Sequence, residues 1–248
     1  LLIALEDNLL QVFLQPKVNL ITRGIVGYEA LLRWDDPVLG TVSPFEFIKV
    51  AESMALATRI DRYVLNSVFE SIRRCLDLKL DILPIAVNIT SSHFSDLSLV
   101  EYILSQSEIF NVDLSYLDLE VTEGVLPEMN EQVERNLEIL RARSMKISID
   151  DFGTGYSSLS YIRKFSVDAL KIDKSFVDDI TDDVGKQLIA AVIAIAKAVN
   201  LDVIAEGIET DEQLQILLEL GCKIGQGYLF AKPKYICDVL STQVNNFK

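Results

Sequence analysis

Short apolar runs recur along the chain, and longer segments of a different periodicity separate them. Eight of the runs have the length and the β-branched or large apolar residues typical of strands. These predicted strands are Gln11–Leu14, Ile25–Leu32, Ile85–Asn88, Leu117–Thr122, Lys146–Asp150, Ala169–Ile172, Asp202–Ala205 and Cys222–Ile224. From the third strand onward, helical or long segments lie between them, and such alternation predicts parallel strands with helices outside.

The helical segments carry apolar residues at i, i+3 and i+4, the spacing of one helix face. They are Ser98–Glu108, Asn130–Ala142, Lys186–Val199 and Thr210–Leu220. A further helix start is indicated by Ser43, Pro44 and Glu46, which offer a cap, a proline at the first helical position and a capping-box acid.

The link between the first two predicted strands is too short for a parallel crossover, which needs about a dozen residues or more. We therefore expect a hairpin, with the first strand antiparallel to the second. The predicted fold is α/β, a TIM-like (β/α)8 barrel with one antiparallel strand near the N-terminus. An open doubly wound sheet is the alternative, but it normally carries a glycine-rich phosphate loop after an early strand, and the sequence has none.

Composition favours one large domain. The chain has 248 residues, half of them hydrophobic, and no linker divides it, so we expect a single domain over residues 1–248. No apolar run approaches the roughly 18 residues of a membrane span. The first residues, LLIALEDNLL, lack the features of a signal peptide and predict a short amphipathic helix. Because the chain starts without Met, we expect a piece of a larger protein.

Charge and the rarer residues narrow the possible chemistry. Cys75, Cys222 and Cys237 show no metal or redox spacing, which indicates free thiols in a reducing compartment. The single histidine, His93, argues against a histidine-built zinc or iron site and is expected to be structural or on the surface. The net charge of −14 disfavours binding of long nucleic acid. A small phosphate ligand is still compatible, provided that metal ions lie between it and the carboxylates.

Polar residues stand in or just after six consecutive predicted strands, from the third to the eighth, and Glu29 lies in the second. The full set is Glu29, Asn88, Glu120, Asp150, Asp151, Lys171, Glu206, Glu209 and Gln226. A single strand-end acid is more often a helix cap or a surface charge, and a lone lysine is more often a structural ion-pair partner. The joint pattern is hard to produce by chance, and TIM-type barrels gather their active sites on this face.

The acids in this set predict a metal site. Burying several carboxylates is prohibitive unless cations compensate their charge. The candidate ligands offer only oxygen, which suits Mg²⁺ or Mn²⁺. Asp150 and Asp151 can both face the site only if the backbone turns there, which Gly153 and Gly155 permit. An adjacent Asp pair suits two ions, a common device for phosphoester cleavage.

Most of these residues stand in motifs that resemble those of the EAL domain family. The motifs are LQP at Leu14–Pro16, YEALLRW at Tyr28–Trp34, VNIT at Val87–Thr90, LEVTE at Leu119–Glu123, DDFGTGYSSL at Asp150–Leu159, DALKID at Asp168–Asp173, AEGIET at Ala205–Thr210 and QGYLFAKP at Gln226–Pro233. They occur in one order over nearly the whole chain. The resemblance implies a phosphodiesterase of bacterial second-messenger signalling that hydrolyses cyclic di-GMP to linear pGpG.

The resemblance also implies a role for each matching residue. It gives one metal ion the ligands Glu29, Asn88, Glu120 and Asp150, and it gives a second ion Asp150 and Asp151. Lys171 would bind the nucleophilic water and compensate developing charge, and Glu206 would be the general base or a metal ligand. Glu209 and Gln226 would support the metal and water network, and Glu123 would anchor the loop after the fourth strand. Substrate contacts would come from Gln15, Leu32, Arg33, Asp61 and Gln226.

Small departures from the family pattern occur at Asp36, Lys49 and Thr90, where the family often has His, Pro and Ser. None of them removes an implied metal ligand. The resemblance further implies a cytoplasmic domain, even where the parent protein is tethered to a membrane. It also implies a homodimer, with GGDEF or sensor domains in the parent chain.

Two other functions compete with the hydrolase. A receptor would bind cyclic di-GMP without cleaving it, but family receptors usually lose metal ligands, and this chain retains them all. An unrelated aldolase or isomerase barrel could use Lys171 as a Schiff base, but that role leaves the acids unexplained.

Overall fold

The computed structural model describes residues 1–6, 9–96, 98–128, 130–153 and 167–245. Its strands are β1 Leu10–Asn19, β2 Ile25–Asp36, β3 Gly40–Val42, β4 Ile85–Ile89, β5 Leu117–Thr122, β6 Lys146–Phe152, β7 Ala169–Ile172, β8 Asp202–Ala205, β9 Ile224–Gly225 and β10 Lys234–Tyr235. Its α-helices are α1 Leu2–Glu6, α2 Pro44–Ser53, α3 Ala57–Asp77, α4 Ser91–Phe94, α5 Ser98–Phe110, α6 Glu131–Arg141, α7 Lys174–Asp178, α8 Asp183–Ala198, α9 Asp211–Leu220 and α10 Ile236–Asn245. Short 3₁₀ helices cover Leu114–Tyr116 and Glu123–Glu128. Gly155 and the rest of the DDFGTGYSSL motif after Gly153 lie outside the described residues.

Eight strands close into a barrel in the order β1, β2, β4, β5, β6, β7, β8, β9, with β9 pairing back onto β1. β1 is antiparallel to both of its barrel neighbours. The remaining barrel pairings are all parallel. The predicted barrel with one reversed strand is therefore confirmed, and the open doubly wound sheet is wrong.

The reversed strand follows from the tight turn between β1 and β2. There the side chain of Asn19 accepts hydrogen bonds from the backbone amides of Ile21 and Thr22, and Arg23 adopts a positive φ of 62°. The hairpin is longer than predicted, because its register runs from Leu10 opposite Trp34 to Val18 opposite Ile25. Polar residues on the inner face of β1 break the apolar pattern that marks strands in the sequence.

The predicted helices are confirmed, with shifts of up to three residues at their ends. α9 shows why the sequence predicts helix boundaries: Thr210 and Gln213 form a capping box at its start, and Gly221 ends the helix with φ 84°. α2 begins at Pro44 as predicted, but the Ser43 side chain makes no capping hydrogen bond. The sequence did not predict β3 and β10, which are short rim strands, and β9 lies at Ile224–Gly225 rather than Cys222–Ile224.

Two different environments make up the interior. Between the barrel and the helices the core is apolar: Leu65, Val68, Phe69 and Ile72 of α3 are fully buried, and each such side chain contributes roughly 1.5–3 kcal/mol. Inside the barrel, by contrast, charged and polar residues are buried. This polar centre opens at the carboxyl ends of the parallel strands and holds the candidate site.

All three cysteines are free thiols, with Cys75 and Cys222 buried and Cys237 exposed. In the part of the chain that the structure describes, no helix combines the length and apolarity needed to cross a membrane.

Candidate active site

Lys171 lies at the centre of the barrel mouth and is fully buried. Among the described residues, four carboxylates surround its ammonium group. Its Nζ lies 2.5 Å from Glu120 Oε2, 2.6 Å from Glu206 Oε1, 3.0 Å from Asp150 Oδ2 and 3.5 Å from Glu29 Oε2. We call these four acids the carboxylate ring. Four acids around one lysine offer more negative charge than the lysine can neutralise, which favours binding of cations.

Strand register explains why residues distant in the chain meet here. Asn88 lies opposite Glu120 in the β4–β5 pairing, so both side chains leave the same face of the sheet. Gln15 lies opposite Glu29 in the β1–β2 pairing in the same way. Because every parallel strand ends at the same rim, residues near these ends converge on one site.

Two amides orient the ring acids. Asn88 donates to Glu29 Oε1 at 2.7 Å, and Gln226 donates to Glu29 Oε2 at 2.5 Å and to Glu206 Oε1 at 3.0 Å. The other end of the Gln226 amide, Oε1, is buried without a partner among the described residues. An orphaned acceptor beside so many acids indicates that a donor or a cation belongs in this space.

The acids form two overlapping groups that could each hold a metal ion. Oxygens of Glu29, Glu120 and Asp150 lie within 4.8 Å of one another, and so do oxygens of Asp150, Asp151 and Glu206. The two groups share Asp150. Neither contains nitrogen or sulfur, so the donor set fits Mg²⁺ or Mn²⁺.

The backbone turns at the Asp pair, as the sequence required. Asp151 adopts a positive φ of 53° and Gly153 a φ of 99°, and the β6–β7 register shifts between Ile149 and Phe152. A left-handed conformation is uncommon for a residue other than glycine, although Asp tolerates it better than most, and it is often found at functional sites. This turn brings both Asp150 and Asp151 to the mouth.

Burial and neighbouring groups together shift the pKa values of the site acids in different directions. It raises the pKa of Glu120 to about 7, although Lys171 opposes the shift. Burial also raises the pKa of Glu206 well above its usual range and, together with the charge of Asp150, raises that of Asp151. Burial alone would raise the pKa of Glu29 too, but Lys171 and the two amides outweigh it and lower that pKa. Without bound cations, some of the ring acids are therefore protonated and uncharged.

Glu209 does not join the ring. Its side chain is 45% exposed and pairs with Lys174 at 2.9 Å. Both residues line a cleft of about 260 Å³ that also contacts Glu206 and Gln226. A larger groove of about 900 Å³ lies between α3 and α10, but it contains none of the ring acids.

Glu123 is buried beside the Asp pair, and its Oε2 accepts a hydrogen bond from the backbone amide of Gly153 at 2.8 Å. The carboxylate thereby fastens the end of β6, two residues after Asp151.

The residues expected to bind the substrate occupy different surroundings. Gln15 lines the cleft and donates to the carbonyl of Ala231. Arg33 donates to the carbonyl of Leu32 at 2.8 Å.

Asp61 is buried, and its Oδ2 accepts from the backbone amide and the hydroxyl of Thr90. The same oxygen lies 3.1 Å from His93 Nδ1. His93 is therefore a buried structural residue, as one of the two sequence alternatives held.

Sequence reasoning missed Lys17. It is buried inside the barrel, and its Nζ lies 3.3 Å from Glu120 Oε1. The signal was present in the alternation of Gln15 and Lys17, two polar residues on the same face of a strand. The predicted β1 ended at Leu14, so both residues were assigned to the hairpin link.

Comparison with known proteins agrees with the motifs and the fold. A family model described as "EAL domain" matches residues 1–233. The chain is similar to "Cyclic di-GMP phosphodiesterase NbdA" of Pseudomonas aeruginosa, with 39% identity over 231 residues, or 93% of this chain and 30% of that protein. It is also similar to "Cyclic di-GMP phosphodiesterase PdeR" of Escherichia coli, with 36% identity over 232 residues, or 93% of this chain and 35% of that protein. The chain thus spans about a third of the length of these relatives.

Solved structures show the same barrel. "PaMucR Phosphodiesterase, c-di-GMP complex" superposes with a TM-score of 0.89 at 35% identity, covering 95% of this chain and 96% of that one. "Structure of EAL Enzyme Bd1971 - cAMP and cyclic-di-GMP bound form" gives a TM-score of 0.91 at 34% identity, covering 98% of this chain and 66% of that one. With the motifs, the barrel and these matches in agreement, the chain belongs to the EAL domain family.

Proposed function

We propose that this chain is a metal-dependent phosphodiesterase domain that hydrolyses cyclic di-GMP to linear pGpG. The observation that carries the proposal is the carboxylate ring around Lys171, because it retains every acid needed for an oxygen-only cation site. The similar proteins NbdA and PdeR are named cyclic di-GMP phosphodiesterases, and the similar PaMucR structure is a c-di-GMP complex. These names support the substrate assignment.

The proposed cofactor is Mg²⁺ or Mn²⁺, with two ions per site. Glu29, Glu120 and Asp150, with Asn88, would hold one ion, and Asp150 and Asp151 would hold the other. Since Glu206 lies with the Asp pair in the second acid group, the geometry supports a role for it as a ligand. When bound, such ions lower the pKa of water and neutralise charge on the phosphate.

Lys171 has a distinct role. Burial by itself would lower its pKa, but Glu120, Glu206 and the other ring acids raise that pKa well above the usual value. The amine therefore stays protonated, and it can donate to the attacking water and to a phosphate oxygen as negative charge grows there. A Schiff-base lysine must be neutral to attack a carbonyl, so this environment argues against an aldolase or isomerase.

Other chain residues would orient the dinucleotide. Gln15 lines the cleft beside the ring, and we expect Arg33 to donate to a substrate phosphate as a charge-assisted partner. Leu32, Asp61 and Gln226 complete the proposed contacts.

We further propose that residues 1–248 act as one EAL domain within a longer cytoplasmic signalling protein that forms a homodimer. The greater length of the relatives is consistent with additional sensor or GGDEF domains. One similar protein is named "Bifunctional diguanylate cyclase/cyclic di-GMP phosphodiesterase MucR".

A paired measurement separates the enzyme from a receptor. Cyclic di-GMP affinity is measured in Ca²⁺, which suppresses turnover, and pGpG release is measured in Mg²⁺. We expect wild type to bind and to release pGpG, and Arg33→Ala to weaken binding first, because it removes a ground-state phosphate contact. Arg59→Ala, at an exposed position of α3, is the matched control and should change neither value. Tight binding by the wild type without any pGpG would establish the receptor function instead.

A further inference from the structure

Lys17 is a second buried lysine at the carboxylate ring. Its Nζ donates to Glu120 Oε1 at 3.3 Å, and Lys171 donates to Glu120 Oε2 at 2.5 Å. The two lysines thus divide the two oxygens of one carboxylate. Lys171 also contacts the other ring acids, so Oε2 is the oxygen that faces the ring, whereas Oε1 faces Lys17.

The barrel provides a fitted place for the Lys17 side chain. Lys17 lies opposite Gly27 in the β1–β2 pairing. A Cβ at Gly27 would crowd the carbonyl oxygen of Pro84 at 3.0 Å but would make only ordinary contact with Lys17 Cε at 3.6 Å, so the Lys17 stem packs directly over this glycine. Lys17 also attracts Asp118, which precedes Glu120 by two residues and leaves the same face of β5. Lys17 therefore pairs with Glu120 and also acts on Asp118 through its charge.

We propose that Lys17 restricts Glu120 to coordination through one oxygen and thereby favours Mg²⁺ over Ca²⁺ at the ring. This inference rests on the proposed function, which places a divalent cation there. Mg²⁺ requires a compact octahedron, whereas Ca²⁺ accepts six to eight oxygens and often takes both oxygens of a carboxylate. While Lys17 holds Oε1 turned away from the ring, a cation in the ring meets Oε2, where it competes with Lys171.

The ratio of the two metal affinities separates this geometric effect from a charge effect. Removing Lys17 removes a positive charge near the site and alters the competition between protons and metal for Glu120. Because Mg²⁺ and Ca²⁺ carry the same charge, both of these changes act on the two ions alike. An increase in the number of available oxygens, by contrast, favours Ca²⁺ selectively.

The experiment measures Mg²⁺ and Ca²⁺ binding by calorimetry on the full chain, with circular dichroism as a check of folding. Lys17→Met should raise the Ca²⁺-to-Mg²⁺ affinity ratio by about tenfold. This is the lower end of the change in metal affinity expected when a residue that supports a metal ligand is replaced. Lys17→Gln keeps a donor for Oε1 without the charge and should retain the wild-type ratio. Lys146→Met, at an exposed position on β6, is the control and should also retain it.

The outcomes are distinguishable. If the wild type binds neither ion, both the proposed metal site and the role of Lys17 are wrong. If the wild type binds both ions and Lys17→Met leaves the ratio unchanged, the role of Lys17 alone is wrong. Should Lys17→Met not fold, a crystal structure of the wild type with Mn²⁺ gives the answer. One Glu120 oxygen at bonding distance would support the inference, and two would overturn it.

Discussion

Lys171 and Lys174 stand three residues apart, and each pairs with carboxylates, yet their surroundings differ completely. Lys171 is fully buried among four acids at the barrel mouth. Lys174 begins α7 and is 46% exposed, with Asp178 Oδ1 at 2.7 Å and Glu209 Oε1 at 2.9 Å. The same types of residue therefore form a candidate catalytic centre in one place and a surface ion pair in the other.

The turn after β8 separates the two clusters. Gly207 adopts φ 67° and lies so close to the Lys174 stem that a Cβ there would meet Lys174 Cγ at 2.3 Å. Glu206, just before the turn, enters the ring, whereas Glu209, just after it, remains at the surface. Solvent screens the outer pair, but the inner charges have only one another and any bound cation to compensate them.

The largest expected difference is between the effects of substituting Glu29, in the ring, and Glu209, at the surface, on turnover and on stabilisation by Mg²⁺. Glu29→Ala should reduce pGpG release below detection, and Asp150→Ala should do the same, because each removes a proposed metal ligand. Mg²⁺ at 100 times its dissociation constant should stabilise the wild type by about 2.7 kcal/mol, or roughly 5–10 °C in melting temperature. Glu29→Ala should lose this shift, and Glu209→Ala should keep it. A full Mg²⁺ shift in Glu29→Ala would show that the ligand assignment is wrong.

The second difference is between the lysines themselves. Lys171→Ala should lower kcat by about a hundredfold to a thousandfold, because we propose that its charge acts mainly on the transition state, while cyclic di-GMP affinity changes little. Lys174→Ala, its matched control, should change kcat by less than about threefold, as expected for an exposed pair. Steady-state kinetics in Mg²⁺ and binding in Ca²⁺ test both variants. If Lys171→Ala and Lys174→Ala lost kcat equally, the proposed catalytic role would not be specific to the buried lysine.

A smaller effect is expected at Glu123, which supports the ring from outside. Glu123→Ala removes the acceptor for the Gly153 amide and loosens the backbone that presents Asp151. We expect metal affinity to fall by about tenfold, with a parallel loss of turnover at low Mg²⁺. Glu123→Gln retains an acceptor and should recover part of the loss. Metal titrations that do not differ from wild type would contradict this support role.

The smallest effect concerns the stability of the surface cluster. Lys174→Ala should change the free energy of unfolding by less than about 1 kcal/mol, and added salt should reduce the difference further. Urea unfolding at low and high ionic strength measures it. A loss of several kcal/mol would mean that the Lys174 cluster is as tightly coupled to the fold as a buried ion pair.

The sequence predicted the barrel well because its signals are local. The short link after Leu14 could form only a hairpin, and the later strand–helix alternation required parallel strands. The adjacent Asp150 and Asp151 likewise predicted a backbone turn, because neighbouring residues of a regular strand face opposite sides of the sheet. The observed φ of 53° at Asp151 satisfies that requirement.

The roles of individual side chains were less predictable where they depend on distant parts of the chain. Lys17 was missed because the predicted β1 ended at Leu14, and because its partner Glu120 lies 103 positions away in the chain. Glu206 and Glu209 belong to one motif, and nothing in their spacing shows that Gly207 directs them to different environments.

The sequence by itself therefore determined the order of the eight barrel strands, the reversed first strand and the set of strand-end acids. Periodicity and turn chemistry specify these features over a few residues. Only the tertiary structure decided which acids share a buried site, which lysine they surround and which pair remains in solvent. Those outcomes depend on register across the closed barrel, and on the burial that such closure imposes on each charge.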